Sequence, residues 1–118
     1  MVEVTAEEFE DCVSAALDAV PAPLMDMLDN VAFFVEPEPP EDQPADLLGI
    51  YEGVPLTERD LGWGGMTLPD RITLFQGPLT RFCGSRAELE DEIAITVVHE
   101  IAHHFGIDDD RLHELGWG

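Results

Sequence analysis

Residues 99–109 read His-Glu-Ile-Ala-His-His-Phe-Gly-Ile-Asp-Asp and carry the strongest pattern in the chain. Residues four apart on a helix project from the same face, so His99 and His103 can hold one cation between their imidazole rings. Glu100 lies one step round the helix, beside such a cation but not on it. A general base must lie beside the metal in this way to accept a proton from metal-activated water. The spacing therefore predicts a Zn²⁺ site on a helix, with Glu100 as its base.

A third ligand is expected from the residues that follow this helix. Gly106 can adopt the left-handed backbone conformation that ends a helix and reverses the chain. Such a turn would bring Asp109 back over the two histidines, so that two imidazoles, a carboxylate and a water fill a tetrahedral site. The spacing favours Asp109, and Asp108 or Asp110 would then cap a short helix over 110–115. Asp108, Asp110 and His113 stay open as alternative ligands, and His113 could instead support a ligand by hydrogen bonding.

The helix that carries the motif has recognisable boundaries. Ser85 followed by Glu88 is a capping-box start, and Gly106 is the expected end. Burying two histidines and a glutamate without partners is costly, and a bound metal would supply those partners. The intervening apolar residues cover most of the helix surface, as expected of a central helix; they are Leu89, Ile93, Ala94, Ile95, Val97, Val98, Ile101, Ala102 and Phe105.

The remaining sequence predicts a second long helix and a small sheet. Thr5 with Glu8 is another capping box, and it precedes apolar residues at helical spacing from Phe9 to Val20. The order of the elements predicts an α+β fold, in which a sheet of three or slightly more strands packs on the N-terminal helix and the central helix. Apolar runs predict strands at 31–35, 47–51 and 71–75, and short helices at 24–28 and 79–82.

Length and composition indicate a single domain over residues 1–118. The chain has 45% hydrophobic and 26% charged residues, which is typical of a globular protein with a modest core. The acidic, proline-rich run at 36–46 cannot build core, so it is expected to be a surface loop within that domain. Cys12 and Cys83 do not form a disulfide framework, and both are expected to be reduced thiols.

The formal charge is −21, from 26 acidic residues against five arginines. A chain this acidic should be repelled by nucleic acids and by anionic membranes, so neither is expected as a partner. Residues 1–20 lack a signal-peptide pattern and no apolar run is long enough to span a bilayer, so a cytoplasmic location is expected. The excess acid could attract basic peptides or simply solvate the surface. Nothing in the sequence indicates an oligomeric state.

Three segments resemble the small bacterial family of zinc metallopeptidases with a minimal zincin fold. They are 96–116, which contains the His-Glu-x-x-His run, and the upstream segments 48–59 and 68–79. The resemblance implies a zinc metalloprotease of one compact domain, whose active helix carries the two histidines and the glutamate. It also matches Asp109 to the acidic position after the glycine. The same spacing resembles the snapalysin-type zincins, which use an aspartate as third ligand.

The activity expected from these residues is hydrolysis of peptide bonds. Zinc would polarise the scissile carbonyl, while Glu100 takes a proton from the attacking water and passes it to the leaving amine. A peptide substrate would add as an extended strand to a sheet edge, at either 47–51 or 71–75. Two alternatives stay open: a non-catalytic zinc-binding or interaction domain with an acidic surface, and a hydrolase of another amide or small ester.

Two further side chains have open assignments. Tyr51 is the only tyrosine, and it could stabilise an oxyanion or have a packing role. His104 points away from the face shared by His99 and His103, so it is expected to be a hydrogen-bonded structural histidine.

Overall fold

A computed structural model describes residues 1–28, 30–53 and 69–114, apart from the side chain of Asp109. These residues form an α+β fold with a three-stranded sheet, which confirms the predicted class. The strands are β1 (Val31–Glu36), β2 (Gly49–Glu52) and β3 (Asp70–Phe75). The helices are α1 (Ala6–Ala19), α2 (Ala22–Met25), α3 (Gln76–Phe82), α4 (Arg86–Phe105) and α5 (Asp109–Glu114).

The sheet has the strand order β1-β3-β2, so β3 lies in the centre. β1 pairs with β3 in parallel, with Val35 opposite Leu74. β2 pairs with β3 in antiparallel orientation, with Tyr51 opposite Ile72. Both edges of β3 are therefore occupied, and β2 lies at an edge of the sheet as far as residues 1–28, 30–53 and 69–114 form it.

The core lies between one face of the sheet and the helices α1 and α4, which pack along each other. Removing each large apolar side chain from water contributes about 1.5–3 kcal/mol to folding. Cys12 and Cys83 lie in the same core as free thiols. Burial raises the pKa of Cys83 to about 11, which keeps this thiol protonated near neutral pH. The largest fully buried side chains include Phe9, Leu24, Ile72, Leu74, Leu79, Leu89, Ile93, Val97, Val98 and Ile101.

Local signals set the ends of the two long helices. The Thr5 hydroxyl accepts from the Glu8 amide at 3.1 Å, and the Glu8 carboxylate accepts from the Thr5 amide at 3.0 Å, which confirms the capping box of α1. At the start of α4 the Ser85 hydroxyl accepts from the Glu88 amide, but the Glu88 carboxylate accepts from the Gly84 amide at 3.2 Å, so only half of the predicted capping box is present. Gly106 ends α4 with φ of 69° and ψ of 30°, the left-handed conformation that was predicted for it.

Three short elements begin two or three residues away from their predicted starts. β2 begins at Gly49 rather than at residue 47, because the Leu47 amide is used in a turn and donates to the Pro44 carbonyl. α2 begins at Ala22, since a proline is tolerated in the first helical turn. α3 follows β3 directly and begins at Gln76 rather than at residue 79, with Pro78 tolerated in its first turn.

The acidic, proline-rich loop is attached to α3 at its first residues. The Gly77 amide donates to the Pro37 carbonyl at 2.8 Å. Two guanidinium nitrogens of Arg81 donate to the two carboxylate oxygens of Glu38 at 2.7 and 3.0 Å. This paired contact lowers the pKa of Glu38.

Within the described ranges, no helix is long and apolar enough to cross a membrane.

Candidate metal centre

The three motif residues lie on α4 and line one cleft. The cleft has a volume of about 350 Å³, and segment 44–49 forms its opposite wall. His99 and His103 are exposed, whereas Glu100 is half-buried. The structure therefore brings both imidazoles and the candidate base to the same opening, as their helical spacing requires.

The edge strand β2 runs alongside α4 and defines this side of the molecule. Two residues of a strand advance about 6.8 Å and four residues of a helix about 6.0 Å. Every second residue of the strand therefore lies near every fourth residue of the helix over this short distance. Three positions of α4, each four residues from the next, therefore face residues 49–53. The facing pairs are Gly49 with Thr96, Tyr51 with Glu100, and Gly53 with His104.

Glu100 is held by the backbone of β2. Its Oε1 atom accepts a hydrogen bond of 3.1 Å from the Tyr51 amide, across 49 residues of sequence. The hydroxyl of Tyr51 donates to Oδ2 of Asp70 at 2.7 Å, and Asp70 is only 7% exposed. Tyr51 does not line the cleft of the motif. These contacts support the packing role considered for Tyr51 rather than a role at an oxyanion.

His104 is held by stacking. Its ring lies on the ring of Tyr51, with centroids 3.9 Å apart and an angle of 19° between the planes. The rings of His104 and Phe105 are nearly perpendicular, with centroids 4.9 Å apart. The predicted structural role thus rests on ring contacts, and no hydrogen bond of His104 is present among the described residues.

The residues after Gly106 divide into a cap and candidate ligands. Oδ1 of Asp108 accepts from the Arg111 amide at 2.8 Å, so Asp108 caps α5. The helix begins at Asp109, one residue earlier than predicted, and the side chain of Asp109 lies outside the described part of the chain. Asp110 and His113 are exposed. Among the side chains that the structure describes, no group of three histidines, cysteines or acidic residues could hold a metal. Asp109 as third ligand thus stays a prediction.

The described donors nevertheless fit a zinc ion. Zinc binds imidazole nitrogens and carboxylate oxygens, and His99 with His103 presents two imidazoles from one helix face. Neither imidazole makes a hydrogen bond or ion pair within the described residues, so both keep a nitrogen available to a cation. Glu92 and Asp46 line the same cleft and add negative charge that attracts cations.

Asp70 is the residue of this region that sequence reasoning missed. In the sequence it follows Pro69, and the pair is typical of a turn rather than of a buried group. In the structure it is the first residue of β3 and bonds the Tyr51 hydroxyl. Only the pairing of β2 with β3 brings the two residues together, so no local pattern could have identified the contact.

Comparisons with known proteins relate most of the chain, rather than single site residues, to a family and to a solved structure. The sequence profile described as zincin-like metallopeptidase matches residues 28–117. A solved structure of a conserved hypothetical protein from Thermus thermophilus is similar, with 27% sequence identity and a TM-score of 0.57. The similarity covers 86% of this chain and 94% of that one. No curated protein matches the chain.

Proposed function

We propose that this chain, which belongs to the zincin-like metallopeptidase family, is a zinc-dependent peptidase with Glu100 as its general base. His99, His103 and Asp109 would hold the zinc ion. When bound, zinc lowers the pKa of a water molecule and polarises a carbonyl group. The observation that supports the proposal most directly is the shared cleft of His99, Glu100 and His103.

The contact between Glu100 and β2 suits the task of a base. One carboxylate oxygen, Oε1, accepts from the Tyr51 amide, so the carboxylate is fixed relative to the strand. Its second oxygen remains to take a proton from water and to deliver it to the leaving amine. A positioned acid–base group of this kind contributes about 10²- to 10⁴-fold to a reaction rate.

The strand order indicates where a peptide would bind. Among the described strands, β3 is flanked on both sides and β2 is the edge beside the motif, which supports β2 as the strand that a substrate would join. The Leu48 carbonyl accepts from the Phe75 amide, so in an antiparallel pair the backbone groups of Gly49 and Tyr51 point away from β3. Glu100 uses the Tyr51 amide. The Gly49 amide and carbonyl are therefore the proposed anchor for an extended substrate.

The charge of the cleft favours basic peptides as substrates. Glu92 and Asp46 line the cleft, and the whole chain carries a formal charge of −21. Attraction of this kind raises association rates and weakens as ionic strength rises. We therefore expect KM for a basic peptide to increase with added NaCl, while KM for a neutral peptide changes little.

A single substitution tests the reaction. Glu100→Gln keeps an oxygen that can accept from the Tyr51 amide but removes the proton acceptor. Bound zinc should stay at one per chain, and cleavage of a peptide library should fall at least about 100-fold. Glu90→Gln makes the same chemical change elsewhere on α4, outside the residues that line the cleft, and should cleave as the unmodified chain does.

Two outcomes would contradict the proposal. Cleavage by Glu100→Gln at the original rate, with zinc retained, would exclude Glu100 as the base. Tight zinc binding with no cleavage of any peptide in the library would instead support a non-catalytic zinc-binding domain.

We also propose that residues 1–118 form one domain. The family match begins at residue 28, after α1. α1 nevertheless packs along α4 and contributes Phe9 and Cys12 to the core that supports the motif. Deletion of α1 should therefore abolish cooperative unfolding of the remainder.

A further inference from the structure

Tyr51 links the candidate base Glu100 to His104 on the same helix and to Asp70 on the central strand. Its amide donates to Glu100, its ring stacks on His104, and its hydroxyl donates to the buried carboxylate of Asp70. We propose that Tyr51 is a positioning residue for Glu100, and that Asp70 and His104 hold Tyr51 in place. This inference rests on the proposed function, because it assigns the residue that orients the base of that reaction.

The two contacts with α4 lie one helical turn apart. Glu100 and His104 are four residues apart, so they project from the same face of the helix. The amide of Tyr51 meets the first of them at 3.1 Å, and the ring of Tyr51 meets the second with a centroid separation of 3.9 Å. A sliding of β2 along α4 would break both contacts together, so the pair fixes the register between strand and helix.

The third contact ties this register to the central strand. Asp70 is the first residue of β3, and its amide donates to the Asn30 carbonyl at 3.0 Å. Its carboxylate accepts from the Tyr51 hydroxyl at 2.7 Å. The hydroxyl of Tyr51 is thereby held by β3, and the face of its ring is held by α4. Together these contacts fix the backbone amide of Tyr51 relative to Glu100.

The position of this amide decides where the carboxylate of Glu100 points. With Oε1 fixed by the amide, rotation of the carboxylate group is restricted and its other oxygen keeps a constant direction. A base that is misplaced by about 1 Å can lose about 10²-fold in rate. Loosening Tyr51 should therefore lower kcat without changing the residues that bind zinc or the substrate backbone.

Tyr51→Phe and Asp70→Asn test the proposal. The first keeps the amide and the aromatic ring but removes the hydroxyl; the second replaces the charged acceptor by a neutral one. We expect kcat to fall about tenfold in Tyr51→Phe and less in Asp70→Asn, with KM within twofold and zinc content unchanged. Thr80→Val is the matched control, because the Thr80 hydroxyl makes half-buried hydrogen bonds to Gln76 and Gly77 on α3. It should leave kcat and KM within twofold.

A second readout needs neither zinc nor activity. In a ¹⁵N-labelled chain the amide proton of residue 51 reports its hydrogen bond to Glu100, and Glu100→Gln identifies the shift that accompanies loss of the charged acceptor. Tyr51→Phe and Asp70→Asn should move this resonance in the same direction and speed its hydrogen exchange, whereas Thr80→Val should not. If both variants leave the shift and exchange of residue 51 unchanged, the positioning role is wrong. If the amide responds as expected but no variant or unmodified chain cleaves any peptide, the proposed peptidase function fails instead.

Discussion

Gly49 of β2 and Thr96 of α4 approach so closely that residue 49 has no room for a Cβ atom. A Cβ atom on Gly49 would lie 2.9 Å from Cγ2 of Thr96 and 3.1 Å from the Thr73 carbonyl oxygen. The separation of strand and helix at the cleft therefore depends on the absence of a side chain at residue 49. Glycine is needed here for close approach rather than for a left-handed backbone.

The first prediction concerns this contact. Gly49→Ala should lower the free energy of unfolding by about 1–3 kcal/mol, because the added methyl group overpacks the site. Thr96→Ser removes Cγ2 while keeping the hydroxyl that donates to the Glu92 carbonyl. The double variant should therefore recover part of the loss, as measured by urea denaturation in a double-mutant cycle. Equal stability of Gly49→Ala and the unmodified chain, or strict additivity, would contradict the packing described.

The second prediction separates the histidines of α4. His99→Ala and His103→Ala should each lose stoichiometric zinc after dialysis, because each removes one of two imidazoles that share a helix face. His104→Ala should retain zinc, since His104 stacks on Tyr51 and does not line the cleft. The measurement is the zinc content per chain of the three purified variants after dialysis. Retention of zinc by His99→Ala or His103→Ala would exclude that residue as a ligand.

The third prediction separates two adjacent aspartates. Asp109→Ala should reduce zinc affinity by at least about tenfold, as expected for loss of a ligand. Asp108→Ala should instead lower the free energy of unfolding by about 1 kcal/mol, because the Asp108 carboxylate caps α5 through the Arg111 amide. Competition with a zinc chelator and thermal unfolding measure the two effects. Loss of zinc affinity in Asp108→Ala alone would show that Asp109 is not the third ligand.

The fourth prediction concerns alkaline pH. The pKa of Cys83 is about 11 in the folded chain against an ordinary value of 9.0, mainly because of burial. As pH rises, the thiol ionises in the unfolded chain before it ionises in the folded chain. The contribution of Cys83 to the free energy of unfolding is therefore fully present below pH 9 and is lost between about pH 9 and 11. The loss from this group is about 2–3 kcal/mol at most. In urea denaturation across this pH range, the free energy of unfolding should decline less steeply for Cys83→Ala than for the unmodified chain. The cavity in the variant lowers its stability at every pH and does not change this slope. Parallel declines would show that Cys83 does not titrate in this way.

Local patterns were enough for the features whose partners lie within one helical turn. Thr5 and Glu8 cap α1, Ser85 caps α4, and Gly106 ends α4 with positive φ, all as their spacing predicts. The face shared by His99 and His103 follows from the same periodicity. Neighbours three or four residues apart are brought together by the helix itself, so tertiary contacts do not alter these assignments.

Contacts between distant segments needed the folded chain. The sequence left two strands open as the substrate edge, and among the described strands the order β1-β3-β2 places β3 in the centre and β2 at the edge beside the motif. The hydrogen bond from Tyr51 to Glu100 spans 49 residues, and the contact of Gly49 with Thr96 spans a similar distance along the chain. Such pairs depend on which strands hydrogen-bond and on how a helix docks against them. Alternating apolar residues indicate that a strand is half-buried, but they do not indicate which strands or helices lie beside it. Those neighbours are determined only when the whole core packs.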